Sequence, residues 1–140
     1  MIETEIRVRF CETDALGHVN NTSYFIYLEQ GRTEFFEEIV TSAELSDWPF
    51  ILGHISCDFL RQAYYNQRLT VQTGVLRIGT RSVRLWQQIL DRESGEAIAR
   101  SESVMVYFNF LRQQSEPITD HWIAKLKAHQ ISLPEKGDET

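Results

Sequence analysis

The chain has 140 residues, of which 42% are hydrophobic and 24% charged, a composition typical of a globular protein rather than a disordered or fibrous one. Its net charge of −6 argues against nucleic acid as the main partner, because binding to phosphates depends on lysine and arginine. No apolar run approaches the roughly 18 residues of a membrane span, and the N-terminus lacks the apolar core of a secretory signal. We therefore expect a single domain over residues 1–140, located in the cytoplasm.

The first predicted element is a half-buried strand over residues 4–10, in which apolar side chains alternate with arginines. Its apolar positions are Ile6, Val8 and Phe10. A turn segment that contains Asp14 follows. Asn20 or Asn21 then suits the N-cap of a helix, because the side-chain oxygen can accept a hydrogen bond from a free amide of the first turn.

From Asn21 to about Val40, apolar residues recur at helical spacing and predict a long, widely buried helix. The main stripe consists of Tyr24, Leu28, Gly31, Phe35 and Ile39, joined by Phe25, Tyr27 and Phe36. Gly31 costs about 1 kcal/mol of helix propensity relative to alanine. We therefore expect a sheet or another helix to approach the backbone closely at Gly31. A polar loop is predicted from Thr41 to Trp48.

Four strands are predicted after Pro49 from their alternating or apolar patterns. Their apolar positions fall at Ile55–Phe59, Leu69–Val75, Val83–Ile89 and Ile98–Phe110. A short helix is expected to start at Glu116-Pro117, and a polar tail from about residue 132. This order predicts an α+β fold whose antiparallel sheet, with the last four strands in meander order, curls around the long helix.

The segment from Phe10 to Tyr24, F-C-E-T-D-A-L-G-H-V-N-N-T-S-Y, resembles the hotdog-fold acyl-CoA thioesterases of the 4-hydroxybenzoyl-CoA thioesterase-like branch. The likeness continues at Glu29 and Arg32 and, more weakly, at Asp58–Gln67, and covers about residues 3 to 130. It implies a five- or six-stranded antiparallel sheet around a long central helix, paired edge to edge as a homodimer or homotetramer. It also implies hydrolysis of an acyl-CoA to coenzyme A and a free carboxylic acid, with coenzyme A present only as part of the substrate and no separate cofactor.

The resemblance assigns the catalytic carboxylate to Asp14 and the binding of the thioester carbonyl to the helix start at Asn20, Asn21 and Thr22. A helix N-terminus presents free amides and partial positive charge, which suit a developing oxyanion. An ionised aspartate can attack the carbonyl as a nucleophile or deprotonate a water as a general base, and the sequence leaves both routes open. His18 and Glu29 are candidates for supporting roles, with local hydrogen bonding or pairing as the alternative for each.

A stretch without acidic residues lies between Phe59 and Leu90. It contains the arginines Arg61, Arg68, Arg77, Arg81 and Arg84. Because arginine suits phosphate oxygens, we expect Arg77, Arg81 or Arg84 to bind the phosphates of coenzyme A. The four histidines have no ligand spacing with cysteines or acids, so no metal site is predicted. Two other functions stay open, namely a hotdog hydratase or dehydratase and a protein that binds acyl-CoA without turning it over.

Overall fold

The computed structural model describes residues 1–40 and 49–133. Within these ranges the elements are β1 (Ile2–Arg7), a 3-10 turn (Phe10–Glu12), α1 (Asn21–Ile39), β2 (Phe50–Phe59), β3 (Arg68–Ile78), β4 (Ser82–Asp91), β5 (Ala97–Asn109), β6 (Gln114–Ser115) and α2 (Asp120–Lys127). The predicted loop Thr41–Trp48 and most of the predicted polar tail, residues 134–140, lie outside the described residues. No helix in the described ranges is long and apolar enough to span a membrane.

The strands form one antiparallel sheet in the order β1-β3-β4-β5-β2, and the two-residue β6 pairs with β5. The predicted α+β architecture, with a six-stranded sheet and one long helix, is confirmed. The predicted meander holds for β3, β4 and β5 but is wrong for β2, which pairs with β5. The reason lies in the connection after β2, where the amides of Leu60 and Arg61 bond to Ile98 O and that of Asn66 to Val8 O. The chain thus crosses the end of the sheet instead of folding back through a hairpin.

Helix α1 has the predicted bounds and cap. Asn20 is the N-cap, and its Oδ1 accepts a hydrogen bond from Thr22 N at 3.0 Å. The helix packs on the sheet over β1, β3 and β4. A Cβ added at Gly31 would lie 2.6 Å from Val71 Cγ1 and 2.8 Å from Gln87 Nε2. The expected close approach at Gly31 is therefore present.

Among the boundaries that differ from the sequence prediction are the end of β1 and the start of α2. β1 ends at Arg7, and Phe10 is 78% exposed at the start of the 3-10 turn, so it does not belong to the buried strand face. α2 begins at Asp120, after the N-cap Thr119, instead of at Glu116-Pro117. The backbone of 116–118 is held extended because Glu116 N bonds to Tyr107 O and Ile118 N to Thr80 O.

In the part of the chain that the structure describes, two buried clusters form the core. One surrounds the first half of α1 and includes Tyr27, Leu28 and Leu69. The other joins the second half of α1 to α2 through Phe36 and Trp122. The start of α1 is therefore fixed by packing as well as by its cap.

Candidate active site

Asp14 lies in a tight loop that its own backbone closes. Asp14 N donates to His18 O at 2.8 Å and Gly17 N to Asp14 O at 3.1 Å, and Gly17 has a φ of +82°, a left-handed conformation that glycine adopts freely. Oδ1 of Asp14 accepts hydrogen bonds from Leu16 N at 2.8 Å and His18 N at 3.2 Å. Oδ2 accepts none from the residues that the structure describes. One carboxylate oxygen is therefore anchored and the other is available on an exposed side chain.

The three predicted carbonyl-binding amides at the start of α1 differ in their partners. Asn20 N donates to Glu12 O at 2.9 Å, and Thr22 N donates to the side chain of Asn20. The N–H of exposed Asn21 has no acceptor within residues 1–40 and 49–133. Because the first amides of a helix have no intrahelical partner, Asn21 keeps the free donor at this end of the helix.

A buried carboxylate that the sequence analysis missed, Glu12, joins this loop to α1. Its Oε1 accepts from Arg9 N at 2.8 Å and Tyr27 Oη at 3.0 Å, and its Oε2 from Arg9 Nη2 at 2.9 Å. Its carbonyl accepts from Asn20 N and from Ser23 Oγ. Burial on its own raises the pKa of Glu12, but the hydrogen bonds from Arg9 and Tyr27 outweigh it and lower that pKa overall. No local pattern distinguishes Glu12 from a surface residue, because its burial and its hydrogen bond from Tyr27 depend on α1, although its other donors belong to Arg9 in the same turn.

The segment around Ala63 and Tyr64 supports the other side of the loop. Val19 N donates to Ala63 O at 2.8 Å, and Ala63 N donates to Tyr24 Oη at 3.2 Å. The ring of His18 meets that of Tyr64 edge to face, with centroids 5.3 Å apart. The backbone of His18 thus shapes the Asp14 loop and its ring packs on Tyr64.

Burial raises the pKa of Tyr24, with smaller contributions in the same direction from Cys57, Tyr64 and Asp14. The carboxylate of Asp14 is therefore within electrostatic reach of this hydroxyl group.

Glu29 and Arg32 lie further along α1, around a separate cavity of about 470 Å³. Glu29 is exposed and acts electrostatically on buried Arg32, although no carboxylate of the described chain lies within 4 Å of Arg32. Glu29 is eight residues after Asn21, or about 12 Å along the helix axis. A single chain therefore does not bring Glu29 to Asp14.

The three predicted phosphate-binding arginines gather at the other end of the β3–β4 hairpin. Arg77 and Arg84 are cross-strand neighbours, Arg84 pairs with Glu102 at 3.2 Å, and Arg81 Nη1 donates to Ser115 O at 2.6 Å. The Asp14 loop lies at the Arg68 end of β3, and nine strand residues separate Arg68 from Arg77, or about 30 Å. These arginines and Asp14 are thus distant within one chain.

Comparison with known proteins shows the family to which the chain belongs. The model of the thioesterase-like superfamily matches residues 8–126. An acyl-CoA thioesterase, YbgC of Helicobacter pylori, is 31% identical over 83 residues, which are 59% of this chain and 62% of that protein. The chain thus spans less than two thirds of that relative's length.

Two solved structures share the fold. That of a predicted thioesterase from Bacillus stearothermophilus has 35% sequence identity and a TM-score of 0.87, covering 94% of this chain and 98% of its own. That of a Thermus thermophilus thioesterase complexed with coenzyme A and Zn has 24% identity and a TM-score of 0.82, covering 91% and 92%. With the family model matched over most of its length, the chain belongs to the thioesterase-like superfamily.

Proposed function

We propose that the protein hydrolyses acyl-CoA thioesters to coenzyme A and a free carboxylic acid, and that Asp14 is the catalytic carboxylate. One observation carries the proposal: the free Oδ2 of Asp14 and the free N–H of Asn21 belong to one hydrogen-bonded unit, which Glu12 joins to α1. The acyl-CoA thioesterase from Helicobacter pylori, similar to this chain over 83 residues, supports the substrate class.

The two free groups suit the two needs of thioester cleavage. The carbonyl oxygen accepts a hydrogen bond from Asn21 N–H, where the helix dipole stabilises the charge of the tetrahedral intermediate. Asp14 Oδ2 attacks the carbonyl carbon to give an anhydride that water hydrolyses, or it takes a proton from the attacking water. In both routes the C–S bond breaks, the thiolate of coenzyme A leaves and is protonated, and water is the only co-reactant, so no separate cofactor is needed.

The sheet edge formed by β2 supports a homodimer as the active form. β2 is ten residues long and pairs only with β5 among the described strands, and such edges tend to pair with another chain. Helix α1 packs over β1, β3 and β4, so the inner face beside β2 keeps apolar side chains such as Leu52 and Phe59 exposed at 44% and 48%. A copy related by a two-fold axis perpendicular to the sheet pairs its β2 antiparallel and covers this face with its own helix.

This dimer also accounts for the distant arginines. Antiparallel pairing places the β3–β4 hairpin end of one chain on the same side as the Asp14 end of the other. The phosphates of a coenzyme A bound at the second copy's Asp14 are then bound by Arg77, Arg81 and Arg84. The double substitution Arg81→Ala and Arg84→Ala is expected to raise the KM for acyl-CoA more than the KM for an acyl-pantetheine, which lacks the nucleotide. Equal effects on the KM of both substrates would contradict this role.

Thiol release from a panel of acyl-CoAs by wild type and Asp14→Asn tests the catalytic role. We expect a loss of about 10²-fold or more in kcat for Asp14→Asn, in the range of acid–base and nucleophilic contributions. Glu93→Gln, the same change at an exposed hairpin position, is the matched control and should keep wild-type turnover. Unchanged turnover in Asp14→Asn would remove Asp14 from the mechanism, and acyl-CoA binding without thiol release by wild type would contradict hydrolysis itself.

A further inference from the structure

Arg32 is a buried cation with most of its hydrogen-bonding capacity unused. It is 6% exposed, and burial lowers its pKa, an effect that the charge of Glu29 opposes. Its only hydrogen bond within the described ranges runs from Nη1 to Gln87 Oε1 at 3.3 Å. A guanidinium has five N–H donors, and a buried charge without a counter-ion is unfavourable.

Gln87 holds Arg32 in place and is itself fully engaged. It has no exposed surface, and its Nε2 donates to Leu28 O at 2.9 Å and Thr73 Oγ1 at 3.0 Å. Its amide orientation is therefore set by α1 and β3, and its Oε1 can only accept. Arg32 is thus positioned by a rigid neutral group, which does not itself neutralise the charge of the guanidinium.

Arg32 lines a cavity whose wall combines apolar side chains with two exposed carboxylates. The cavity has a volume of about 470 Å³ and is lined by Glu29, Arg32, Thr33, Glu37, Phe50, Leu52 and Met105. Glu29 and Glu37 are exposed on α1, whereas Arg32 is buried. A chain of methylene groups fits the apolar wall, and a carboxylate fits the guanidinium, which can bind both oxygens at once.

We propose that this cavity receives the acyl group of the substrate and that Arg32 binds a carboxylate at the end of that group, so that the preferred substrates are CoA thioesters of dicarboxylic acids. The inference rests on the proposed thioesterase function and names its substrate class.

The dimer places this cavity next to a reactive thioester. Within one chain, Arg32 is eleven residues beyond Asn21, about 16 Å along the helix. The Phe50 end of β2 lines the cavity, whereas Phe59, at the other end, contacts Tyr24 near the start of α1 with ring centroids 5.4 Å apart. Antiparallel pairing of β2 puts the Phe50 end of one chain beside the Phe59 end of the other. Each Arg32 therefore binds the end of the acyl group whose thioester lies at Asp14 of the second copy.

Ratios of kcat/KM for substrate pairs of equal chain length test the proposal, with glutaryl-CoA against pentanoyl-CoA and adipyl-CoA against hexanoyl-CoA. Wild type should favour the dicarboxylic member of a pair by about tenfold or more, and Arg32→Met should bring the ratio for each pair close to one. Arg32→Lys should keep part of it, because the charge remains but the planar fork is lost. Glu37→Gln, which removes a like charge from the same cavity, should raise the preference about two- to threefold. Equal ratios in wild type and Arg32→Met would overturn the proposal.

Mixed dimers test the arrangement between chains. The Arg32→Met protein is mixed with an excess of the Asp14→Asn protein. The working site of a mixed dimer then contains Asp14 from the Arg32→Met chain and Arg32 from the Asp14→Asn chain. Restored preference for the dicarboxylic substrate supports the proposal, and its absence overturns the pairing. If wild type releases no thiol from any acyl-CoA, the proposed function fails, and calorimetry with free adipate then decides whether the carboxylate site exists. Binding of adipate that Arg32→Met abolishes supports the carboxylate site, and no binding of adipate to wild type overturns it.

Discussion

Glu12 is buried and ionised because four hydrogen bonds from Arg9 and Tyr27 converge on its carboxylate. Its carbonyl takes the amide of Asn20, so the same residue fixes the start of α1. Asp14 follows two residues later, and its own Oδ1 bonds then set the exposed loop. Burial and the hydrogen bond to Glu12 raise the pKa of Tyr27, so its hydroxyl stays protonated and donates.

Tyr27→Phe removes one donor to Glu12 without changing the shape of the ring. We expect the free energy of unfolding to fall by about 1–2 kcal/mol, and kcat to fall by up to about tenfold as the Asp14 loop loosens, with little change in KM. Denaturant unfolding and thiol release measure the two effects. Tyr65→Phe, at an exposed tyrosine, is the control, and an equal loss there would contradict the role of Tyr27.

The stability effect of Tyr27→Phe has a defined pH dependence. Because the pKa of Glu12 is lowered in the fold, the stability that this carboxylate contributes is complete above the ordinary glutamate pKa of about 4.3. It is lost as the pH falls through the lowered value. The difference in unfolding free energy between wild type and Tyr27→Phe should therefore be constant near neutral pH and shrink in acid. A difference that stays constant into acid would show that the hydrogen bond to the ionised carboxylate is not its source.

Helix α1 serves as a rigid support whose distance from the sheet is set at Gly31. The backbone there approaches β3 and β4 so closely that a side chain has no room. This contact places the Asn21 end of the helix over the start of β3 and the Arg32 side chain over Gln87. The position of both candidate sites therefore depends on one glycine.

Gly31→Ala should be destabilising although alanine favours a helix. The gain of about 1 kcal/mol in propensity is opposed by overpacking of about 1–3 kcal/mol, because Val71 is buried and Gln87 is tethered by its hydrogen bonds. Adding Val71→Ala should recover part of the loss. Thermal and denaturant unfolding measure these differences, and Glu38→Ala on the exposed face of the same helix should change stability by less than about 0.5 kcal/mol. A stabilised Gly31→Ala protein would show that the sheet yields at this point.

The whole molecule presents an asymmetric sheet, covered by α1 on the β1 side and open on the β2 side. The proposed dimer closes the open side, and both the arginine assignment and the role of Arg32 depend on it. Residues near the middle of β2 meet their own copies across the two-fold axis. A charged residue introduced there therefore faces the same charge on the second copy, and the two repel each other.

Ser56→Lys, at an exposed position in the middle of β2, should therefore weaken the dimer and thiol release together. Analytical ultracentrifugation measures the dimer and the thiol assay measures activity, both at several protein concentrations. Glu3→Lys places the same side chain on the other edge strand, β1, and should leave both unchanged. Full activity in a monomeric Ser56→Lys protein would contradict a site shared between chains.

The amino-acid sequence by itself determined the α+β fold class, the bounds and cap of α1, the close approach at Gly31 and the three-strand meander. These features follow from local periodicity, turn chemistry and propensity, which neighbouring residues carry. It also singled out Asp14 and the amides at the start of α1, whose catalytic roles stay predictions.

Only the tertiary structure decided that β2 pairs with β5, that Asn21 alone keeps a free amide among the three, and that Glu12 and Arg32 are buried. Each depends on partners distant in sequence, since Glu12 needs Tyr27, Arg32 needs Gln87, and β2 needs a strand about 50 residues further on. Hydrogen-bond partners and burial are properties of the folded arrangement, and a one-dimensional pattern does not contain them.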